Sequence, residues 1–581
     1  MDKNSLLAVI LSVVVITAGF MIQAKFFPAP EPVQTEVSAS TVEESVPQTA
    51  APATTTSDST VSGNSDILPA SVAVEAEEQI PHQEVRWETN LFDIVFSNKG
   101  GVITSLKLKK HLENGEPLEM LLKGAEDQNA FNILFGGPTG APITENFHYR
   151  RINDETFEFY RTFIASDGNP FILRKTYIFK PNDYLMELDI TIENSVSAAP
   201  ALNNGGYAYT LEFGPQIGPS FTKLDGRYAY RNYYTFTEKK ANKLKVKDGI
   251  AQVEGRVQWA GIAGKYFTVV GIPDQTDYDI AFNQYPKQDL LQSSVMTFSR
   301  PVITNVSKSV DVFRFYIGPK NNKALAAYDK AEDNGFSLGN LELDNIVDTS
   351  SILGWLEWIL KQMLFIAYKL IHNYGIAIIL VTVVVKAVMF PFTRKSYQST
   401  SKMQALAPQM EELKKKFKDK PEKLNKETAA LYKKEGVNPL GGCLPMLIQM
   451  PIFIAMYGLF NKLFELRGAA FIPGWISDLS APEAVYTFNN FTLPILGWDA
   501  IRLLPILFVL TQLLYGKLMQ TGSQGSNSQM KMMNTLMPVM FFFILYNAPS
   551  GLLLYWIASN IITAIQQVVT NKVLNRDKGE A

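Results

Sequence analysis

Cysteine is almost absent: Cys443 is the only one in 581 residues. That excludes an internal disulfide framework and any CxxC metal or redox site. Histidine is nearly as scarce, with His82, His111, His148 and His372 scattered along the chain, so no metal site is expected. Neither a GxxxxGK[ST] phosphate loop nor an HExxH pair is present, and nothing indicates nucleotide hydrolysis or a small-molecule cofactor. Lysine and arginine are missing from residues 26–85. Aspartate and glutamate are missing from residues 4–24, 443–464, 503–519 and 530–570. A proton-coupled carrier usually shows intramembrane acids, and an alternating-access carrier a repeat of its spans. Neither is found.

What is present is unevenly spread. A net charge of -2 and a mean hydropathy of +0.00 average soluble parts against apolar runs. The uncharged run from Asn4 to Ala24, bounded by Lys3 and Lys25, suits a membrane anchor (1–25), since a span needs roughly 20 residues. A cleaved signal peptide is the alternative. Residues 26–85 cannot bury enough apolar surface to fold and read as a disordered acidic tether. From Arg86 the texture becomes strand alternation. In YLMELDITIEN, Met186, Leu188, Ile190 and Ile192 alternate with a mostly polar set, which predicts a strand with one buried face. Many such strands argue for a large all-β sandwich over 86–325.

Residues 326–372 read as a linker and an amphipathic helix. Trp355, Trp358, Leu360, Leu364 and Phe365 mix with Glu357, Lys361 and Lys369, which fits a helix lying in the membrane interface. A core helix of the sandwich is the alternative. Five candidate spans follow at 375–392, 443–464, 503–519, 534–547 and 551–570, six with the anchor. Residues 393–438 carry twelve basic residues against six acidic ones, a net of +6. This loop therefore belongs in the cytoplasm, as do both termini and the basic tail 572–581, and the sandwich lies outside. Met403, Leu406, Met410, Leu413 and Phe417 recur at helical spacing, which predicts a helical pair broken at Asp419–Pro421; a solvated charged loop is the plainer reading.

Lys386 interrupts VVVKAVMFPF, residues 383–392. Ten residues of helix from Ile376 place it about 15 Å into a hydrocarbon layer about 30 Å thick. A lysine there costs roughly 2.5–3.5 kcal/mol, and the other spans offer it no carboxylate. The spans do carry Thr382, one turn before Lys386, then Gln449, Asn461, Thr511, Gln512, Asn534, Thr535, Ser559, Asn560, Thr563, Gln566 and Gln567. Facing inward, these could line a wetted concavity that leaves the cation free to attract an acidic visitor. Snorkelling toward the cytoplasmic interface is the alternative for Lys386, and ordinary interhelical hydrogen bonds are the alternative for the neutral residues.

The stretches NYGIAIILVTVVVKAVMFPFTRKSYQSTSKM (373–403), VNPLGGCLPMLIQMPIFIAMYGLF (437–460) and MPVMFFFILYNAPSGLLLYWIASNIITAIQQ (537–567) resemble the YidC/Oxa family of membrane protein insertases, in its Gram-negative bacterial form. The resemblance implies a five-helix insertase core (373–571) around a hydrophilic groove open to cytoplasm and lipid and closed toward the periplasm. It also implies a bacterial inner-membrane location and a periplasmic supersandwich similar to sugar-binding folds. The family usually has an arginine where this chain has Lys386. Thr382 matches a groove-lining position and Trp556 an aromatic that touches substrate. Gln449, Gln512, Asn560 and Thr563 complete the expected substrate groove, and Met403, Leu406, Met410 and Phe417 belong to the matching cytoplasmic hairpin. The implied partners are nascent membrane proteins, the ribosome, the Sec translocase and the lipid bilayer. Such a protein transfers chains without making bonds and is not an enzyme. A small-solute transporter or channel and a membrane-anchored periplasmic carbohydrate-binding protein are the other readings.

Overall fold

The computed structural model describes residues 73–74 and 80–579, apart from 114, 124–127, 222–228, 238–239, 247–248, 254, 286–292, 348–352, 419, 437–443, 489–492, 494–497 and 520–527. The expected anchor (1–25) lies outside the described residues, as does most of the tether. Two parts of the expected tether are nevertheless strand: Ala73–Val74 pairs antiparallel with Thr156–Ile164, and Glu84–Glu88 pairs with Phe92–Ser97. Edge pairing satisfies backbone groups that composition alone leaves unassigned.

Among the described residues every strand pairing is antiparallel. A ten-stranded sheet runs from Ala73–Val74 through Thr156–Ile164, Pro170–Phe179, Leu185–Asn194, Lys308–Pro319, Phe267–Pro273, Trp259–Gly264 and Arg231–Thr237 to Lys240–Leu244, with His148–Arg151 also on Thr156–Ile164. A nine-stranded sheet holds Ile250–Gln252, Asp279–Tyr285, Ser293–Pro301, Tyr207–Phe213, Ala130–Phe135, Val102–Glu113, Phe92–Ser97 and Glu84–Glu88, with Glu116–Glu119 on Val102–Glu113. Period-two burial builds the core between them. Phe171, Leu173, Lys175, Tyr177 and Phe179 point inward from one strand, and Met186, Leu188, Ile190 and Ile192 from its neighbour. Phe96 sits among Phe157, Phe159 and Tyr177, with centroids 5.1–5.7 Å away.

Leu185 sits on the opposite face from Met186 yet is also buried. The cause is the end of the expected sandwich together with the first part of the expected linker. The short helix α1 (Asn322–Leu325) and the turns through Ile346 lay Leu325, Tyr328, Leu343 and Ile346 over Leu185, Tyr234, Trp259 and Tyr316. Trp259 donates its indole N–H to the Leu341 carbonyl at 2.9 Å. The sandwich therefore ends near Val347, not at residue 325.

Helix α2 (Gly354–Ile371) buries Leu360, Leu364 and Ala367 in the helical core, while Trp355, Trp358, Ile366 and Leu370 stay exposed. Its packing partners are α3 (Tyr374–Ala405) and α6 (Leu444–Lys462), not the sheets. It is not a core helix of the sandwich. Helix α3 runs 32 residues, about 48 Å, longer than the roughly 30 Å thickness of a bilayer's hydrocarbon layer. The chain breaks at Leu406 and continues as α4 (Ala407–Lys416) and α5 (Pro421–Lys434). The expected helical pair is present, but the apolar line through Met403 and Met410 is divided at Leu406. Helices α7 (Leu504–Met519), α8 (Ser528–Leu545) and α9 (Ser550–Gly579) complete the order, α9 packing on α3, α6 and α7.

Among the described residues, two helices are long and apolar enough to cross a membrane, Tyr374–Arg394 and Ser550–Thr570; Leu504–Lys517 and Leu536–Leu545 are apolar but shorter. The loop after α6 joins the helical part to the sandwich. Phe464 inserts among His111, Tyr266 and Phe267 with centroids 5.0–6.0 Å away, and Arg467 donates to Glu113 at 2.7 Å.

A candidate substrate site around Lys386

Helix α3 presents Lys386 to α6 and α9. The side chain is buried, and its Nζ donates to Gln449 Oε1 on α6 at 2.8 Å. The other end of that amide is engaged too: Gln449 Nε2 donates to the Tyr555 hydroxyl on α9 at 2.7 Å. From the same helix, Gln566 Nε2 donates to the Lys386 backbone carbonyl at 3.1 Å. The acceptor is neutral, and no aspartate or glutamate occurs between residues 374 and 392 or in the apolar runs of α6, α7 and α9. Snorkelling is overturned, because the side chain turns into the helix bundle, where an amide holds it. An unpaired charge is costly in such a place unless its donors are satisfied.

The other expected groove residues divide. Thr382 lies one turn before Lys386 but is fully buried, its hydroxyl donated to the Ile378 carbonyl at 2.7 Å. It is packed inside rather than lining an open surface, because a threonine in a helix can bond its own preceding turn. Thr563 does the same, donating to the Ser559 carbonyl at 2.7 Å. Asn560 Nδ2 reaches Thr511 Oγ1 on α7 at 3.3 Å. Gln512, on the same helix, is half-buried with no hydrogen-bond partner for its Oε1. Trp556 is half-buried. Its ring packs on Phe453, Phe508 and Phe541 at centroid distances of 4.4, 4.7 and 5.5 Å, tying α9 to α6, α7 and α8.

Helix geometry explains the division. At about 100° per residue, Tyr555, Ser559 and Gln566 fall on one stripe of α9, while Trp556, Asn560 and Thr563 fall on a second, turned by roughly a quarter. The first stripe meets Lys386. Sequence reasoning named Ser559 and Gln566 of the first stripe and all three of the second, and it missed Tyr555, whose neighbour Trp556 carries the stronger aromatic signal. A phenol four residues before a buried serine and eleven before a glutamine was the available clue.

In the hairpin expected to be cytoplasmic, Leu406 is buried against Tyr432 and Met410 is also buried. Phe417 is half-buried, with Lys416 Nζ 5.7 Å from its ring centroid. The side chain of Met403 lies outside the described residues.

At the opposite end, residues 469–483 bind three helix starts. Asn373 Nδ2, just ahead of α3, donates to the Phe471 carbonyl at 3.2 Å. Gly375 lies so close to the Phe471 ring that a Cβ there would stand 2.2 Å from it. Glu483 accepts from the Leu504 N–H of α7 at 2.6 Å and from the Trp475 indole at 3.0 Å. Ser550 and Gly551 of α9 donate their backbone N–H groups to Ala481 and Leu479 at 2.8 and 2.9 Å. Helix N-termini leave such donors without intrahelical partners, so one strap of chain satisfies several at once.

A β-sandwich joined to apolar helices, with a buried cation where the helices meet, defines a membrane protein with a large soluble domain. Residues 84–367 match the family described as YidC periplasmic domain and residues 366–578 that described as 60Kd inner membrane protein. The membrane protein insertase YidC of Treponema denticola is 39% identical over 99% of this chain and 100% of its own length. That of Treponema pallidum is 34% identical over 100% of both. A solved structure of an active YidC insertase covers 86% of this chain and 94% of its own at 17% identity and a TM-score of 0.34. The chain belongs to the YidC family of membrane protein insertases.

Proposed function

We propose that this protein inserts newly made integral membrane proteins into the bacterial inner membrane and that Lys386 marks the client path. The observation that carries the reading is a buried cation held by a neutral amide, in a chain whose whole length matches insertases. A polar tail of the client enters beside Lys386, helped when it is acidic, and crosses a shortened hydrocarbon barrier. Its apolar helix moves into lipid, and burial worth roughly 25 cal/mol per Å2 drives the transfer without a nucleotide. Six spans, with the sandwich periplasmic and both termini cytoplasmic, complete the arrangement. The strap at 469–483 supports closure at the periplasmic end, and the exposed tryptophans of α2 support its lying at the membrane surface. The basic residues of α4, α5 and the tail suit ribosomal RNA, and the Sec translocase is a proposed partner. Family membership favours this reading over a solute transporter or a carbohydrate-binding protein.

The test is photocrosslinking from position 386, with Val384 about 200° round the helix as control, against a ribosome-bound single-span client. Crosslinks from 386 alone are expected. Crosslinks from neither position, with a cysteine at 386 still labelled from water, would return the protein to the transporter class.

A further inference from the structure

We infer that Gln449, tethered by Tyr555, is the positioning residue that sets which client tails Lys386 favours. The inference rests on the proposed client path and adds a specificity device to it. The three groups form a chain with one direction. The phenol oxygen of Tyr555 accepts from Gln449 Nε2 at 2.7 Å, which tethers the amide in place while its Oε1 faces Lys386 Nζ at 2.8 Å. A flipped amide would point an NH2 at an ammonium and lose the bond to Lys386, so the donor-only ammonium sets which end of the amide faces it. Tyr555 is only 2% exposed, so packing fixes the phenol, the phenol fixes the amide, and the amide fixes the cation.

The chemistry of the acceptor matters as much as its place. A carboxylate at 449 would hold the lysine equally well but would cancel its charge. An aliphatic side chain would leave the charge intact but release the ammonium to swing toward water. The amide does neither: it fixes the cation at depth and leaves the site with a full positive charge. The Gln566 bond to the Lys386 carbonyl holds the backbone at the same level from α9. The ligand class this selects is a short acidic segment of a client chain.

The experiment uses the full-length protein in proteoliposomes and one single-span client made with tails of net charge -2, 0 and +2. Wild type should insert the acidic-tailed client about tenfold better than the basic-tailed one, as complementary charge favours encounter. Gln449→Glu cancels the charge and should bring the ratio near one, and Gln449→Leu keeps the charge but frees it and should lower the ratio severalfold. Tyr555→Phe removes one oxygen without opening a cavity and should lower the ratio severalfold, so the inference stays testable if Gln449→Glu fails to fold. A merely structural role would reduce all three clients together. Equal loss across the tails, or an unchanged ratio in both Gln449→Glu and Tyr555→Phe, overturns the inference while leaving the client path standing. A wild type indifferent to tail charge overturns the role of Lys386 itself, and this inference with it.

Discussion

The sandwich and the helical core each bury a lysine without a carboxylate, and they do it differently. Lys175 is fully buried between the sheets, where its Nζ donates to the backbone carbonyls of Gly100 at 3.0 Å and Phe131 at 2.6 Å. Lys386 donates to the side chain of Gln449. A backbone carbonyl in a sheet cannot be rotated away, whereas an amide side chain can, if its own partner lets go. The first arrangement is a fixture of the fold, and the second can be changed by one substitution or one visiting group. One carbonyl that Lys175 holds belongs to Phe131, which sits at φ 71°, a left-handed conformation costing roughly 1–3 kcal/mol in a residue with a side chain. The lysine helps to hold that kink.

The largest expected effect follows from this difference. Lys175→Met strips two buried carbonyls of their donor and should cost the sandwich roughly 1–3 kcal/mol for each, read as a lower urea midpoint, with insertion unchanged at low temperature. Burial pushes the pKa of Lys175 well below the ordinary lysine value. The folded domain therefore binds that proton more weakly than the unfolded chain, and its stability rises with pH until the ordinary lysine pKa is reached. The methionine variant should lose that part of the slope.

A smaller effect is expected on the outer face of the same sheet. Asp189 is pushed up to about 6, first by burial and then by the neighbouring Glu187, with Arg314 opposing, and its Oδ1 has no hydrogen-bond partner. Ionisation is disfavoured in the folded state, so stability falls as pH rises from about 4 through 6. Asp189→Asn should stabilise the domain at neutral pH by on the order of 1 kcal/mol, allowing for solvent screening. A melting curve at pH 4 and another at pH 7 check it, the gain appearing only at pH 7.

The smallest stability change is expected at Lys386. Lys386→Met removes an unpaired buried charge and leaves an amide oxygen without a donor, and these opposed terms should cancel to within about 1 kcal/mol. The loss should appear instead in insertion of acidic-tailed clients. A large fall in melting temperature with no change in client preference would make Lys386 a fixture like Lys175 and dissolve the comparison.

Periodicity made much of the architecture legible. The strand of Leu185–Asn194 buries the four apolar residues expected of it, and helices α3, α6, α7, α8 and α9 fall on the five apolar runs. Leu185 and the turns of 326–346 were not legible, because a second layer over the outer face leaves no period in the strand it covers. Lys386 was legible for the same reason that the spans were: one charge in an apolar run stands out. Gln449 was one of several polar candidates for its partner, and nothing in the sequence singled it out or named Tyr555, since they lie 63 residues and a further 106 away.

By itself, the sequence determined the division into soluble and membrane parts, the alternation that builds the sheets, and the absence of any acid to neutralise Lys386, because composition and periodicity act residue by residue. Only the tertiary structure decided which stripe of α9 meets the lysine and which amide holds it. A helix offers its polar residues on several faces at once, and the rotation that chooses among them is set by packing against neighbours far away in the chain.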